Sequence, residues 1–291
     1  MNLSIVIPAK NEEQNLAILL PKIKQLYPDA ELIVVDDGSS DGTGDKAREN
    51  GAICIRHHFS LGNGAAIKSG ARAAHGNILV FLDGDGQHNP DDIEKLLNRK
   101  NEGFDMVIGA RDNKSQASFS RLLANKLYNR FASLMTGRTI LDLTSGFRVV
   151  DARKFKQFLY LLPNGFSYPT TITMAFFRSG YQVDYVPITA LPREGTSKIS
   201  IFKDGLKFLI IIMKIGALFS PMRLFLPISL LLFAIGGLYY GYTYYTSGRL
   251  TNMSAVIFLS SLTIFLIGIV SEQVSSLHYR YIQEDEPEDS K

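Results

Sequence analysis

The composition of this 291-residue chain is that of a folded protein, with 46% hydrophobic and 20% charged residues. These proportions exclude a disordered or collagen-like chain. Because 31 Lys and Arg face 28 Asp and Glu, the net charge is only +3, which gives no electrostatic reason to expect nucleic acid as a partner. The single cysteine excludes an internal disulfide, a cysteine-based zinc site and a secreted disulfide scaffold.

The first part of the chain alternates between short apolar runs and amphipathic stretches. The apolar runs, which read as buried strands, are Leu3–Ile7, Leu32–Val35, Ala52–Ile55, Ile78–Leu82 and Met106–Ile108. The amphipathic stretches, which predict helices, are Glu12–Gln25, Gly44–Asn50, Ala65–Ala74 and Pro90–Arg99. This alternation predicts an α/β fold with a mostly parallel, Rossmann-like sheet and helices on both faces. No basic flank or cleavage site marks the first run as a signal peptide, so we expect this part to stay in the cytoplasm.

The same domain is expected to continue to residue 198, because no linker-like composition interrupts it. Its second half is more irregular. Helices are predicted over Arg121–Leu134 and near Arg153–Leu161, with a turn-rich stretch between them and a last strand at Gln182–Pro187.

Two long apolar segments follow the domain and predict a transmembrane hairpin over residues 223–272. Leu224–Gly248 and Leu250–Ser271 carry no formal charge, and each exceeds the roughly 20 residues needed to cross a bilayer. Basic residues lie before the first span, whereas the turn of the hairpin holds only Arg249. The positive-inside rule therefore predicts that both termini, including an acidic tail over 273–291, are cytoplasmic.

Residues 199–222 predict a helix at the membrane surface. Lys203, Lys207 and Lys214 fall within a ~40° stripe of an otherwise apolar helix. A helix with one basic edge suits the headgroup layer of a bilayer. A buried core helix with lysines at its exposed rim is the alternative.

An acidic pair directly after the fourth predicted strand is the strongest chemical signal. Asp83 and Asp85 can both turn toward one hard cation, and Gly84 between them lets a ligand approach the backbone. Gln87 places an amide oxygen two residues further on. Mg²⁺ or Mn²⁺ held in this way keeps open positions that phosphate oxygens can fill. The alternative is a surface turn rich in Asp and Gly.

Polar groups also follow the first two predicted strands. Asp36 ends the second strand, where its carboxylate can accept hydrogen bonds from a ribose or a base, although a strand, a turn and a helix cap would look the same. Lys10 can reach a phosphate or remain solvated. Gly62 and Gly64 open a later helix, but Ile67 occupies the place of a third glycine, so a dinucleotide fingerprint is not met. A phosphate near the amino end of that helix remains reasonable.

Together these segments resemble the family-2 glycosyltransferases of the GT-A fold. The resemblance rests on Ile5–Glu12, Val34–Thr43 and Leu82–His88. Thr144–Arg148 and Arg193–Lys198 are similar to the dolichol-phosphate mannose synthase branch of polyprenyl-phosphate glycosyltransferases, some of which end in two transmembrane helices. The resemblance covers about residues 1–200.

The resemblance implies a role for each matching residue. The nucleotide-sugar site would comprise Pro8, Lys10, Glu12, Val34, Asp36, Asp83, Gly84, Asp85, Arg111, Arg193 and Lys198. The metal ligands would be Asp83, Asp85 and Gln87, and the acceptor-phosphate contacts Ser145, Arg148 and Arg193. The catalytic set would be Asp85, Arg111, Arg193 and Lys198. Lys10 departs from the pattern, because the family often has Tyr there, so base stacking at this position is in doubt.

The implied reaction is a metal-dependent, inverting transfer of a hexose from a nucleotide-diphosphate sugar to a polyprenyl phosphate. The donor would be of the GDP-mannose or UDP-glucose type, and the acceptor a dolichyl or undecaprenyl phosphate at the cytoplasmic membrane face. An anionic phosphate acceptor requires no strong general base, which suits a chain without an obvious catalytic histidine. The five histidines show no metal-ligand spacing, and only His88 adjoins the predicted site. Small residues around Gly236 could also pack spans between protomers.

Three alternatives compete with this prediction. A processive polysaccharide synthase would carry a Gln-x-x-Arg-Trp motif and more spans, whereas this chain has no Trp. A nucleotidyltransferase would need a basic, glycine-rich first loop and no hairpin. A catalytically silent membrane subunit that binds nucleotide-sugar or lipid is the alternative from another class, and absence of glycolipid formation would favour it.

Overall fold

The computed structural model describes residues 2–111, 119–165, 167–189, 210, 213–214, 216–217 and 220–284. These residues form two compact units. The first comprises residues up to 130 together with 138–208, and the second comprises 131–137 together with 209 onward. Arg193, Lys198 and most of the predicted surface helix over 199–222 lie outside the described residues.

In the described part of the first unit, seven strands form one mixed sheet. The strands are β1 (Leu3–Ala9), β2 (Glu31–Asp36), β3 (Ile53–Arg56), β4 (Ile78–Phe81), β5 (Met106–Arg111), β6 (Arg148–Asp151) and β7 (Val183–Ile188). Their order is β3-β2-β1-β4-β6-β5-β7, and β6 runs antiparallel to both of its neighbours while the other pairs are parallel. The predicted α/β fold with a mostly parallel sheet is confirmed.

Seven helices of the described chain lie between these strands in the sequence. They are α1 (Glu13–Leu26), α2 (Thr43–Glu49), α3 (Asn63–Ala73), α4 (Asp92–Asn101), α5 (Phe119–Thr136), α6 (Ala152–Gln157) and α7 (Tyr168–Arg178). Apolar side chains at helical spacing explain their orientation: Leu16, Leu19, Leu20 and Ile23 are the buried residues of α1. Acidic residues in the first turn of α4 and basic residues in its last turn complement its dipole.

The hydrophobic core lies around the central strands. Ile5, Ile7, Val34, Val80 and Val107 are completely buried. Because β1, β2 and β4 are buried along almost their whole length, their sequences read as continuous apolar runs, as expected for strands with both faces covered. The carboxyl ends of β1, β2 and β4 are neighbours, and the polar loops predicted to carry chemistry begin there.

The second unit contains two long helices, α8 (Pro221–Ser247) and α9 (Asn252–Glu284). Ser229 and Ser261 hydrogen-bond across them, each hydroxyl donating to the other residue's carbonyl oxygen at 3.0 and 2.9 Å. Many apolar side chains of both helices are nevertheless exposed, among them Leu231 at 62% and Leu259 at 63%. Pro221–Ser247 and Asn252–Ser276 are long and apolar enough to cross a membrane, so both are candidate spans.

Candidate functional site

Side-chain hydrogen bonds join the loop after β1 to the loop after β2. Asn11 adopts a left-handed backbone conformation with φ 56°, which is uncommon for a residue with a side chain. The backbone N–H of Asn11 donates to Ser39 Oγ at 3.0 Å, and its side-chain Oδ1 accepts from Ser40 N at 2.9 Å. Glu12 N donates to Thr43 Oγ1 at 2.9 Å. The loops after β1 and β2, two strands whose ends carry predicted nucleotide contacts, therefore have one shared hydrogen-bond network.

The predicted nucleotide residues differ in accessibility. Pro8, Val34 and Asp36 are buried, whereas Lys10 is exposed. Asp36 Oδ1 accepts a hydrogen bond from Ser39 N at 2.8 Å. Among the described residues Asp36 Oδ2 has no hydrogen-bond partner, although Arg56 Nε lies 3.4 Å away. Asp36 Oδ2 is thus in an ion pair with Arg56 and faces Gly44, where an added Cβ would lie 2.9 Å from it, so that a hydrogen bond from this carboxylate to a nucleoside stays a prediction.

Asp37, to which the sequence assigned no role, anchors the loop after β3. Its carboxylate accepts from Ser60 Oγ at 2.7 Å, Leu61 N at 2.8 Å and Gly62 N at 2.9 Å, and contacts His57 Nδ1 at 2.8 Å. Burial alone would raise the pKa of Asp37, but these hydrogen bonds outweigh burial and lower it to about 2. The dipeptide Asp36-Asp37 is the signal that could have indicated a second function for this loop.

The amino end of α3 is occupied by protein, which corrects the expectation that a phosphate lies there. Gly64 N donates to the carbonyl oxygen of Gly165 at 3.2 Å, and Ala65 N donates to that of Asn164 at 3.1 Å. A Cβ added at Gly64 would lie 2.1 Å from the carbonyl oxygen of Pro163. The glycine is therefore needed for this close contact between backbones and not for an approaching ligand.

The acidic pair lies beside the end of β1. Gly84 N donates to the carbonyl oxygen of Pro8 at 3.3 Å, and a Cβ at Gly84 would lie 3.1 Å from that oxygen. Asp85 Oδ1 accepts from Gln87 N at 3.2 Å, which brings the predicted ligands Asp85 and Gln87 together. This contact fixes the turn that follows β4.

Asp83, whose side chain is 30% exposed, is bordered by His88 of its own loop and by the loop that carries Gly146. His88 Nε2 lies 3.7 Å from Asp83 Oδ2, and the His88 ring stacks on Phe147 with the ring centroids 5.2 Å apart. A Cβ added at Gly146 would lie 2.6 Å from Asp83 Oδ2. Burial opposes ionisation of Asp83, but His88 and the positive charges of Arg111 and Arg148 hold the pKa of its carboxyl below the ordinary value.

Arg111, at the end of β5, forms a two-pronged ion pair with Asp142. Its Nε and Nη2 donate to the two carboxylate oxygens at 2.8 and 3.0 Å, and Nη2 also donates to Thr144 Oγ1 at 2.6 Å. Burial disfavours the charged guanidinium, but Asp142, Asp83 and Asp85 outweigh burial and raise the pKa of Arg111. Arg111 and Asp83 therefore border the same segment, residues 142–146: Arg111 bonds to Asp142 and Thr144, and Gly146 lies close to Asp83.

The predicted acceptor residues of the described chain lie in the interior. Ser145 is buried, and its hydroxyl has no hydrogen-bond partner among the described residues. Arg148 is completely buried; it donates to the carbonyl oxygen of Ser145 and to Thr173 Oγ1 at 3.3 Å. Burial lowers the pKa of Arg148. In this arrangement Arg148 supports the loop that carries Gly146, and direct contact with an acceptor phosphate stays a prediction.

The acidic pair offers the oxygen chemistry that a divalent cation requires. The described residues contain no group of three or more His, Cys, Asp or Glu that could hold a metal ion alone. Two carboxylates and the amide of Gln87 are hard oxygen donors, and Mg²⁺ is commonly bound by one or two carboxylates together with substrate phosphates and water. The residues present therefore fit a cation that is shared with a diphosphate.

Comparisons with known proteins identify the family of this chain. The family model "Glycosyl transferase family 2" matches residues 4–159, and the model "GtrB C-terminal hairpin" matches residues 220–277. The polyprenol monophosphomannose synthase of Mycolicibacterium smegmatis is 30% identical over 213 residues, which are 67% of this chain and 80% of the relative. The undecaprenyl-phosphate mannosyltransferase of Micrococcus luteus is 30% identical over 215 residues, 69% of this chain and 88% of that relative.

Solved structures show a similar fold. Glucosyl-3-phosphoglycerate synthase of Mycobacterium tuberculosis, crystallised with Mn²⁺, UDP-glucose and phosphoglyceric acid, superposes with a TM-score of 0.60 at 21% identity, covering 74% of this chain and 79% of that one. At this identity the likeness concerns the fold, which is the GT-A fold expected from the sequence. The strand order, the acidic loop after β4 and the family-model match lead to one conclusion: this chain belongs to glycosyltransferase family 2.

Proposed function

We propose that this chain transfers a hexose from a nucleotide-diphosphate sugar to a polyprenyl phosphate at a membrane surface. The observation that carries the proposal is that Arg111 and Asp83 border the same segment, residues 142–146, at the carboxyl edge of the sheet. Arg111 bonds to Asp142 and Thr144, and Asp83 lies beside Gly146, in a chain that also has two long apolar helices. The relatives named for polyprenol or undecaprenyl phosphate support the lipid acceptor.

The residues divide between donor and acceptor. Asp36, at the end of β2, would accept hydrogen bonds from the nucleoside, as the family resemblance implies. Asp83, Asp85 and Gln87 would hold Mg²⁺ or Mn²⁺, which when bound supplies positive charge beside the diphosphate. Arg111 would add a fixed positive charge on the same side. Arg193 and Lys198 would close over the phosphates, as the family resemblance implies.

The transfer is a single displacement. An oxygen of the lipid phosphate forms the new bond to the anomeric carbon, and the bond from that carbon to the diphosphate oxygen breaks, so the configuration inverts. The phosphate oxygen is already anionic, and no proton needs to be removed by the protein. The electron pair of the breaking bond stays on the nucleoside diphosphate, where positive charge stabilises it.

The catalytic unit and both termini are proposed to face the cytoplasm. Arg223 at the start of α8 and the lysines before it outnumber Arg249, which lies between the two helices. Short loops rich in Lys and Arg stay on the cytoplasmic side. Protease is added to sealed right-side-out and inverted vesicles to test this orientation. We expect cleavage of the tail only in inverted vesicles, and cleavage only in right-side-out vesicles would contradict the orientation.

The function is tested with the purified full-length chain in liposomes. Radiolabelled GDP-mannose and UDP-glucose are each supplied with dolichyl or undecaprenyl phosphate and Mn²⁺, and label in the organic extract is measured. We expect one donor to give a glycolipid that requires the lipid phosphate. Nucleotide-sugar binding without glycolipid from any combination would instead identify a silent binding subunit.

A further inference from the structure

The loop after β3, residues 57–62, is held beside the predicted nucleotide pocket. His57 N donates to the carbonyl oxygen of Asp36 at 2.9 Å, and Arg56 Nη2 donates to that of Ser39 at 3.1 Å. Gly38, with φ +69°, has so little room that an added Cβ would lie 2.8 Å from the carbonyl carbon of Phe59. The loop backbone therefore packs directly on the turn that follows Asp36.

The four contacts made by Asp37 keep this loop in one conformation. They hold His57 on one side of Phe59 and Ser60, Leu61 and Gly62 on the other. A loop fixed at both sides of one residue presents the side chain of that residue in a defined place at low entropic cost.

Phe59 itself leaves most of its ring in solvent, with 69% of the residue exposed. Isolated exposed apolar residues are common, so exposure alone indicates nothing. Here the exposed ring belongs to a loop whose backbone is hydrogen-bonded to the carbonyl oxygen of Asp36, a residue predicted to contact the nucleotide. The neighbouring loop offers Lys10, an exposed cation, and no aromatic ring at that position.

We propose that Phe59 is the aromatic platform on which the nucleobase of the donor stacks. This inference rests on the proposed function and adds to it a residue that binds the nucleobase. An aromatic ring stacks on any base and contributes strongly to binding. Hydrogen bonds to Asp36 would then select among bases, while Asp83 and Asp85 would hold the cation that binds the diphosphate.

The test compares the binding of nucleotides with that of a ligand that has no base. Binding of UDP, GDP and inorganic pyrophosphate, each with Mn²⁺, is measured by calorimetry on the full-length chain. We expect Phe59→Ala to weaken binding of the preferred nucleoside diphosphate by roughly tenfold, with pyrophosphate binding unchanged. Phe59→Tyr keeps the ring and should bind normally. Leu61→Ala, which removes another exposed apolar side chain of the same loop, serves as the matched control.

A second measurement uses the absence of tryptophan from the chain. In Phe59→Trp the only indole lies on the proposed platform, so its fluorescence should change on adding the nucleotide and not on adding pyrophosphate. The proposal is overturned if Phe59→Ala binds the nucleotide as tightly as the unsubstituted chain, or loses pyrophosphate binding equally. If the unsubstituted chain binds pyrophosphate but neither nucleotide, the proposed function falls together with the platform.

Discussion

Asp37 illustrates how one carboxylate can fix a loop. Its pKa is lowered to about 2 from an ordinary 3.8, so the ionised form stabilises the folded chain by about 2 kcal/mol. This contribution is complete above the ordinary pKa and is lost as the pH falls toward the lowered one. We expect Asp37→Asn to melt at a lower temperature than the unsubstituted chain at about pH 7, and the difference to shrink at about pH 3. Thermal melting in detergent, followed by circular dichroism, measures it; a pH-independent difference would contradict the assignment.

Asp142 should affect both stability and transfer activity, because it holds the guanidinium of Arg111 in place. Replacing Asp142 by Asn removes the charge from a pair in which the Asp142 side chain is only 8% exposed. A hydrogen bond to a charged group contributes about 1.5–3 kcal/mol, so we expect lower thermal stability together with a loss of transfer activity. The matched control is Asp184→Asn, which removes the charge from the Arg99–Asp184 pair on the edge strand β7, where the Asp184 side chain is 28% exposed. Equal effects of the two variants on activity would show that Asp142 has no special role at the site.

The residues of the site show the limit of sequence reasoning. Asp36, Asp83 and Asp85 could be singled out because a polar residue directly after an apolar strand is visible in the sequence. Asp142 and Gly146 could not, because their relation to Arg111 and Asp83 depends on the antiparallel insertion of β6 between β4 and β5. The depression of the Asp37 pKa depends on amides from a distant loop and has no local signal.

At the scale of elements, α3 depends on a backbone contact with residues 163–165. Gly64→Ala would place a methyl group 2.1 Å from a carbonyl oxygen, so the loop must move. We expect a destabilisation of about 1–3 kcal/mol, as for other overpacked sites. Gly165→Ala is the matched control, because an added Cβ there has nothing within 4 Å. Similar melting temperatures for both variants would show that the contact is not tight.

The first five strands and four helices could be predicted because each has a regular apolar pattern. Two elements were missed. β6 was missed because it begins with Arg148, a charged residue that interrupts the apolar pattern. In the structure the guanidinium of Arg148 is buried and bonds to Ser145 and Thr173. In α7, Thr170, Thr171 and Thr173 are buried, so the helix lacks a polar face by which its period could be recognised.

At the scale of the whole molecule, the hairpin model matches residues 220–277, all within the second compact unit. The glycosyltransferase model matches residues 4–159, which lie in the first unit except for 131–137. The hairpin could be predicted from the length of its apolar segments alone. The carboxyl edge of the sheet carries the charged side chains of the candidate site. The two long apolar helices are candidate membrane spans, as a polyprenyl-phosphate substrate would require. Which sugar and which polyprenol are used depends on side chains that surround the bound substrates.

The most direct measurement is the metal dependence of glycolipid formation by the full-length chain and its Asp83→Asn and Asp85→Asn variants in liposomes. Mn²⁺ is titrated after removal of bound metal, with Asp184→Asn as the charge-matched control. The account predicts transfer that requires the cation, a loss on the order of 100-fold or more in both variants, and near-normal activity of the control. Full activity of Asp85→Asn, or activity unaffected by chelator, would contradict it.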